Sequence, residues 1–201
     1  MPPLSLKVNE IFYSLQGEGP HTGMAAVFVR FSGCNLRCSF CDTDHESGLM
    51  MTDEQIVAEV KKYPQAAIVV LTGGEPSLFI DYDFVARLKK ETGMKIAIET
   101  NGTHPLPDNL DWVTLSPKTG FPGADAAPVV VKKCNELKVV YMGQPLSPYT
   151  KEYEAEFYYL QPCDTSSVQQ NRSNILATIE AVKNNPQWIL SLQTHKFVGI
   201  R

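Results

Sequence analysis

Apolar residues along the chain follow patterns that are typical of β-strands. Residues 25–32 place Val27, Val29 and Phe31 on one face, whereas residues 67–71 form a continuous apolar run. Alternation indicates a strand with one buried face, and a continuous run indicates a strand buried on both faces of a parallel sheet. Patterns of these kinds predict further strands over residues 7–16, 95–99, 112–115, 137–141, 157–160 and 188–192.

Helix signals lie between several of these strands. Thr52 begins one helix with the spacing of a capping box, Asp81 can cap a second, and a third around residues 175–182 ends before Pro186. Strands that alternate with helices predict an α/β fold with a mostly parallel sheet. The 201 residues are fewer than the roughly 250 of a full eight-unit barrel. We therefore expect one domain, residues 1–201, with a partial, trimmed TIM-like barrel.

Composition and charge exclude several classes of protein. The chain is 43% hydrophobic and 20% charged, which supports a buried core and argues against disorder. Its net charge of −4 lacks the basic excess of a nucleic-acid-binding protein. The longest apolar run, residues 66–71, is too short to cross a bilayer, and no secretory signal precedes it. We expect a cytoplasmic protein that binds neither membranes nor nucleic acid directly.

The cysteines are clustered rather than scattered. They are Cys34, Cys38, Cys41, Cys134 and Cys163. An odd number with three members close together indicates metal ligands in a reducing compartment, not a disulfide framework. Three thiolates would leave one iron of a four-iron cluster without a protein ligand, and that open position could bind a reactant. The alternative is a structural zinc site in which His45 joins the first three cysteines.

This cysteine spacing resembles the C-x3-C-x2-C motif of the radical S-adenosylmethionine (SAM) superfamily, with an aromatic residue, Phe40, before the last cysteine. Thr72-Gly-Gly-Glu-Pro76 resembles the second motif of that superfamily, which holds the amino group of SAM. The resemblance implies a 4Fe-4S cluster on Cys34, Cys38 and Cys41. Its open iron would chelate SAM, and one electron would release a 5′-deoxyadenosyl radical.

A narrower resemblance rests on five motifs. These are Ser14-Leu-Gln-Gly-Glu-Gly19, Cys41-Asp-Thr43, Ser116-Pro-Lys118, Gln161-Pro-Cys-Asp164 and Gln193-Thr-His-Lys196. Together they resemble the 7-carboxy-7-deazaguanine synthases over nearly the whole chain. The resemblance implies radical ring contraction of 6-carboxy-5,6,7,8-tetrahydropterin to 7-carboxy-7-deazaguanine and ammonia, in queuosine biosynthesis. It further implies a homodimer, a magnesium ion and a flavodoxin-type electron donor.

The same resemblance assigns roles to individual residues. Substrate-binding residues would be Leu15, Gln16, Gly17, Arg30, Thr72 and Arg201. SAM-binding residues would be Phe40, Cys41, Asp42, Gly74, Ser116, Pro117, Lys118, Gln161, Pro162, Cys163 and Asp164. Thr43 would supply a hard oxygen ligand to magnesium. Arg30 would bind the substrate carboxylate, and the α-carboxylate of Arg201 would accept hydrogen bonds from the pterin. No catalytic side chain is implied beyond the SAM-derived radical.

Some interpretations remain open at this stage. A glycyl-radical-enzyme activase would share the cysteine loop and the Thr72–Pro76 motif, although it should lack the Gln-Gly-Glu-Gly start. Glu99-Thr-Asn-Gly102 is compatible either with a ribose or carboxylate contact or with an ordinary capped turn. Cys134 and Cys163 are expected to be buried thiols. The four histidines receive no role.

Overall fold

One sheet of nine strands dominates the part of the chain described by the computed structural model, residues 5–41, 43–44, 47–124 and 127–201. The strands are β1 (Ser5–Leu15), β2 (Ala25–Phe31), β3 (Leu49–Thr52), β4 (Ile68–Gly73), β5 (Lys95–Thr100), β6 (Trp112–Leu115), β7 (Lys133–Tyr141), β8 (Glu154–Pro162) and β9 (Ile189–Leu190). Their order in the sheet is β3-β1-β2-β4-β5-β6-β7-β8-β9.

The sheet is mostly parallel, as the sequence predicts. β2 and the strands from β4 to β9 form a parallel set in which each strand runs parallel to its neighbours. β1 is antiparallel to both β2 and β3. β3 and β9 form the two edges, so hydrogen bonds do not close the sheet into a barrel. The α/β class and the partial barrel are therefore confirmed.

Helices lie between several of the strands, and the first two begin where local signals predict them. The helices are α1 (Asp53–Val60), α2 (Tyr82–Thr92), α3 (Ser147–Glu152), α4 (Val168–Asn184) and α5 (Thr194–Val198). Thr52 and Gln55 form a complete capping box at α1, and the Asp81 side chain accepts a hydrogen bond from Phe84 N at α2. Gly93 ends α2 with a φ of 71°. No helix in the described ranges has the length and apolar character needed to span a membrane.

Three of the short elements, β3, α3 and α5, were not predicted from the sequence. β3, α3 and α5 contain four, six and five residues, which is too few to show a clear period. The strand predicted over residues 188–192 is reduced to Ile189–Leu190. β7 and β8 begin at Lys133 and Glu154, earlier than expected, because charged residues interrupt the apolar pattern at their starts.

The two faces of the sheet carry different side chains. Apolar residues of β2, β4 and β5 pack on one side against α1 and α2, forming the largest core cluster. On the other face, Phe28 and Val70 lie side by side, and Arg30 and Thr72 follow them toward the ends of their strands. Because the carboxyl ends of parallel strands meet at one edge, the fold collects polar side chains there.

Candidate active site

A cavity of about 610 Å³ opens at this edge. Most of its wall comes from residues at or just after the carboxyl ends of β2, β4, β5, β6 and β8. The predicted site residues in the wall are Leu15, Gln16, Gly17, Arg30, Cys34, Cys38, Phe40, Cys41, Thr43, Thr72, Gly74, Ser116, Lys118, Gln161, Pro162, Asp164 and Arg201. Of the predicted residues within the described ranges, only Pro117 and Cys163 do not line it. Asp42 lies outside the described residues.

The cysteine loop forms one wall of the cavity. Cys34, Cys38 and Cys41 are free thiols, and the Leu36 backbone N–H donates to Cys34 Sγ at 3.4 Å. Burial raises the pKa of the Cys34 and Cys38 thiols. Phe40 packs edge-on against Phe121, with ring centroids 5.0 Å apart. All three cysteines therefore line the cavity, and Phe121 supports Phe40 beside them.

Three cysteines separated by three and two residues suit a four-iron cluster, in which each cysteine binds a different iron. Among the described residues, no three His, Cys, Asp or Glu side chains converge on a position that could hold one metal ion. A single tetrahedral zinc would require such convergence, whereas each cysteine of a four-iron cluster binds a different iron. His45, the fourth ligand in the zinc alternative, lies outside the described residues. Cys34, Cys38 and Cys41 would each bind one iron of such a cluster and leave the fourth iron open.

The remaining two cysteines are buried, as expected. Cys163 is packed with Leu36 and Phe121 beneath the cysteine loop, and its backbone oxygen accepts a hydrogen bond from Asn174. Burial raises the pKa of the Cys134 thiol to about 12. Both are thus inert thiols in this environment.

Glycines allow the end of β4 to approach the cysteine loop. Gly73 has a φ of 122°, which residues with a side chain rarely adopt. Gly74 N donates to Phe31 O at 3.0 Å, and Glu75 N donates to Gly33 O at 2.9 Å. A Cβ on Gly74 would overlap the Gly33 carbonyl. Close backbone contacts therefore require glycine at positions 73 and 74, and both glycines line the cavity.

Glu75 fixes the ends of two strands relative to the loop. Its carboxylate is buried and accepts hydrogen bonds from Thr100 Oγ1 at 2.6 Å, Asn101 N at 2.7 Å and Ser77 N at 3.1 Å. Asn101 then donates to the Asn35 side chain at 3.1 Å. This glutamate of the Thr72–Pro76 motif has a structural role that the sequence analysis did not identify.

Glu99 joins two predicted substrate-binding residues. Thr72 Oγ1 donates to one carboxylate oxygen at 2.9 Å, and Gln16 Nε2 donates to the other at 3.1 Å. All three residues line the cavity. The Glu99 carboxylate therefore lies in the cavity wall and not in an exposed turn.

A buried ion pair that the sequence analysis missed joins β7 to the turn after β1. Lys138 on β7 pairs with Glu18, and their side chains are 8% and 10% exposed. Gln193 and Gln161 also donate to Glu18 Oε1, at 3.0 Å and 3.3 Å. Lys138 lies inside the apolar segment 137–141, and a lysine is rarely buried without a partner. This position in the sequence was therefore the available signal of a buried ion pair.

Both members of this pair are held in their charged forms. Burial alone would raise the pKa of Glu18, but the charge of Lys138 and hydrogen bonds from the side chains of Lys138 and Gln193 outweigh it and lower that pKa. Burial would lower the pKa of Lys138, but the carboxylates of Glu18, Glu99 and Glu136 outweigh it and raise that pKa. The ion pair therefore persists at neutral pH.

Lys118 provides a second cation near the cysteine loop. Its ammonium donates to the backbone oxygen and to the hydroxyl of Ser116, at 2.8 Å and 2.6 Å. Burial, with the neighbouring charge of Lys138, lowers the pKa of Lys118 to about 8. Two of the three residues of the predicted Ser-Pro-Lys motif thus form one hydrogen-bonded unit at the wall.

Residues 193–196 pack against the turn that follows β1. Thr194 donates to Gly17 O through its backbone N–H at 3.0 Å and its hydroxyl at 2.8 Å. A Cβ on Gly17 would overlap the ring of His195, which lines the cavity. Lys196 pairs with Asp164 at 2.7 Å. His195 thus reaches the site although the sequence assigned it no role.

Arg30 and Arg201 meet at the mouth of the cavity. Arg30 Nε lies 2.9 Å from Glu10 Oε1, and the Arg201 guanidinium pairs with the other oxygen of Glu10. The Ser14 hydroxyl donates to the backbone oxygen of Arg201 at 2.6 Å. The structure therefore brings Arg201 to the site, as the sequence analysis expects, and directs its side chain to Glu10.

Two relatives with similar sequences carry the same name, within a superfamily whose profile also matches this chain. The sequence profile of the radical SAM superfamily matches residues 28–135. A 7-carboxy-7-deazaguanine synthase of Bacteroides thetaiotaomicron is 54% identical over 97% of this chain and 98% of its own length. A synthase of the same name from Bradyrhizobium diazoefficiens is 40% identical over 98% of this chain and 100% of its own.

Among solved structures, the crystal structure of QueE from Escherichia coli matches with a TM-score of 0.72 and 27% sequence identity over 95% of each chain. The sheet topology, the cavity and these similarities agree with the motifs identified in the sequence. The chain belongs to the radical SAM superfamily and, within it, to the 7-carboxy-7-deazaguanine synthase family.

Proposed function

We propose that this protein is a radical SAM carbon–nitrogen lyase that converts 6-carboxy-5,6,7,8-tetrahydropterin to 7-carboxy-7-deazaguanine and ammonia. The observation that carries this proposal is the convergence of the cysteine loop, the Thr72–Pro76 turn and the Gln16–Gly19 turn around one cavity. An activase would need the first two features only. The third lines the same cavity through Gln16, Gly17 and Glu18 and favours a small pterin substrate over a protein substrate.

The cluster and SAM together would supply a carbon-centred radical that removes a hydrogen atom from the substrate. Cys34, Cys38 and Cys41 would hold the cluster. By resemblance to the family, the SAM-binding residues would be Phe40, Cys41, Asp42, Gly74, Ser116, Pro117, Lys118, Gln161, Pro162, Cys163 and Asp164. Gly74 suits this role because it lines the cavity and carries no side chain that would keep a ligand away from its backbone.

The substrate would bind between polar side chains that line the cavity, among them Arg30 and Glu99. Arg30 offers a planar donor pair to its carboxylate. Glu99, oriented by Thr72 and Gln16, offers acceptor oxygens to the N–H groups of the aminopyrimidinone ring. Leu15, Gly17 and Arg201, which line the same cavity, would complete this set.

Turnover under anaerobic conditions tests the proposed activity. Reconstituted protein should convert the carboxypterin to a product with deazaguanine absorbance when SAM, magnesium and a reductant are present. Omission of SAM should abolish the conversion. Failure of the complete mixture, with an intact cluster, would refute the proposal.

Replacement of Arg30 by Lys should raise the KM for the carboxypterin. Charge is retained, but a single ammonium cannot make two parallel hydrogen bonds to a carboxylate. The expected loss is about 1.5–3 kcal/mol of binding free energy. Arg172→Lys, on the exposed face of α4, is the matched control and should leave the KM unchanged. An unchanged KM in Arg30→Lys would place the substrate carboxylate elsewhere.

Replacement of Thr43 by Ala should reduce both activity and its dependence on magnesium. The substitution removes one hard oxygen ligand from the cavity wall. Cluster absorbance should not change, since the three cysteines remain. Thr119→Ala, in an exposed loop outside this cavity, serves as control. A wild-type magnesium response in Thr43→Ala would show that Thr43 does not bind the metal.

The proposed protein is a single domain over residues 1–201 that acts in the cytoplasm as a homodimer. Its electron donor would be of the flavodoxin type. The family to which the chain belongs supports these points, and sedimentation with a reconstituted donor assay would test them.

A further inference from the structure

Two guanidinium groups share one carboxylate and one aromatic ring at the cavity mouth. Arg30 and Arg201 each pair with a different oxygen of Glu10. Both also lie over the ring of Phe12, with Cζ-to-centroid distances of 5.7 Å and 5.2 Å. We call these four residues, Glu10, Phe12, Arg30 and Arg201, the mouth cluster. Ser14 fixes its outer member by donating to the backbone oxygen of Arg201 at 2.6 Å.

Glu10 and Arg30 are direct neighbours in the sheet. They are opposed in the register of β1 and β2, so the pairing is set by the backbone. Glu10 therefore competes with any carboxylate ligand for Arg30. If Arg30 turns to such a ligand, Glu10 loses its partner and repels the ligand's charge. A second cation on Glu10 removes both penalties.

The following inference rests on the proposed function, in which the ligand carries a carboxylate. We propose that the Arg201 side chain is a specificity-determining residue for the substrate carboxylate. It neutralises Glu10 and so leaves Arg30 available to the ligand. This role belongs to the guanidinium of Arg201 and is separate from any contact made by its backbone. Loss of the Arg201 side chain should therefore weaken the binding of pterins that carry the carboxylate, because a pterin without it does not bind Arg30.

Equilibrium binding without turnover tests this role. The protein would carry its reconstituted cluster but receive no reductant, and binding would be followed by the fluorescence of 6-carboxypterin and of unsubstituted pterin. The variants are Arg201→Met, Glu10→Gln and the double variant. Met keeps an apolar stem over Phe12 but removes the charge. The Arg201–Glu10 pair is largely exposed on the Arg201 side, so its loss should not unfold the protein.

Arg201→Met should weaken binding of 6-carboxypterin about tenfold, equivalent to about 1.4 kcal/mol. Binding of unsubstituted pterin should change less than about twofold on the same scale. Adding Glu10→Gln to Arg201→Met should restore most of the lost affinity, because the uncompensated carboxylate is then absent.

Three results would overturn the role of Arg201. These are wild-type affinity of Arg201→Met for 6-carboxypterin, an equal loss for both ligands, and no recovery in the double variant. An equal loss would mean that Arg201 only orders the cavity mouth. A wild-type protein that binds neither pterin would instead refute the proposed function, and the role of Arg201 would fall with it.

Discussion

Replacing Cys38 with Ala should abolish assembly of the iron–sulfur cluster and all activity. Three cysteines are available for four irons, so losing one leaves two irons without a protein ligand. The thiols of the loop do not converge on one ion, and no other described side chains complete a metal site. Substitution of Cys34 or Cys41 should have the same effect. Iron content and the broad visible absorbance after anaerobic reconstitution measure the outcome.

Cys134→Ser is the matched control for this loss. Cys134 lies on β7 among apolar residues of a separate core cluster and does not line the cavity. The variant should bind as much iron as the wild-type protein. Full iron content in Cys38→Ala would contradict the assignment of the cluster to this loop. A colourless wild-type protein that contains zinc would support the structural zinc alternative.

Local signals account for the parts of the fold that the sequence predicts well. The capping residues Thr52 and Asp81 act within one helical turn, and Gly93 ends α2 through its own backbone conformation. The cavity could also be anticipated. Most of the motifs follow predicted strands of the parallel set, and parallel topology brings the ends of such strands to one edge. Pattern and topology therefore locate the site before any side-chain contact is known.

Contacts between distant segments could not be predicted in this way. Glu18 and Lys138 are 120 residues apart, and nothing in the sequence around either residue identifies its partner. Glu10 shows the same limit. It is one of several acidic residues in the chain, and only the register of β1 against β2 places it beside Arg30. The support for the site thus depends on tertiary pairing, which periodicity does not report.

Replacing Lys138 with Met should lower the free energy of unfolding by about 3–5 kcal/mol. The substitution leaves the Glu18 carboxylate buried without a cation, and only the side-chain amides of Gln161 and Gln193 remain as donors to it among the contacts described above. Urea unfolding at neutral pH, followed by circular dichroism, measures the change. Adding Glu18→Gln should recover part of the loss, since the uncompensated charge is removed.

Lys133→Met is the matched control, because Lys133 lies on the same strand and pairs with Glu154 at 2.7 Å. Both of those side chains are largely exposed, so the expected change is within about 0.5 kcal/mol. Acidification should reduce the difference between the Lys138→Met variant and the wild-type protein. The pKa of Glu18 is lowered in the folded protein, so its contribution is present above the pKa of the unfolded carboxyl group and is lost as pH falls through the folded value. Equal stability of the two Met variants at neutral pH would show that the buried pair does not stabilise this wall of the site.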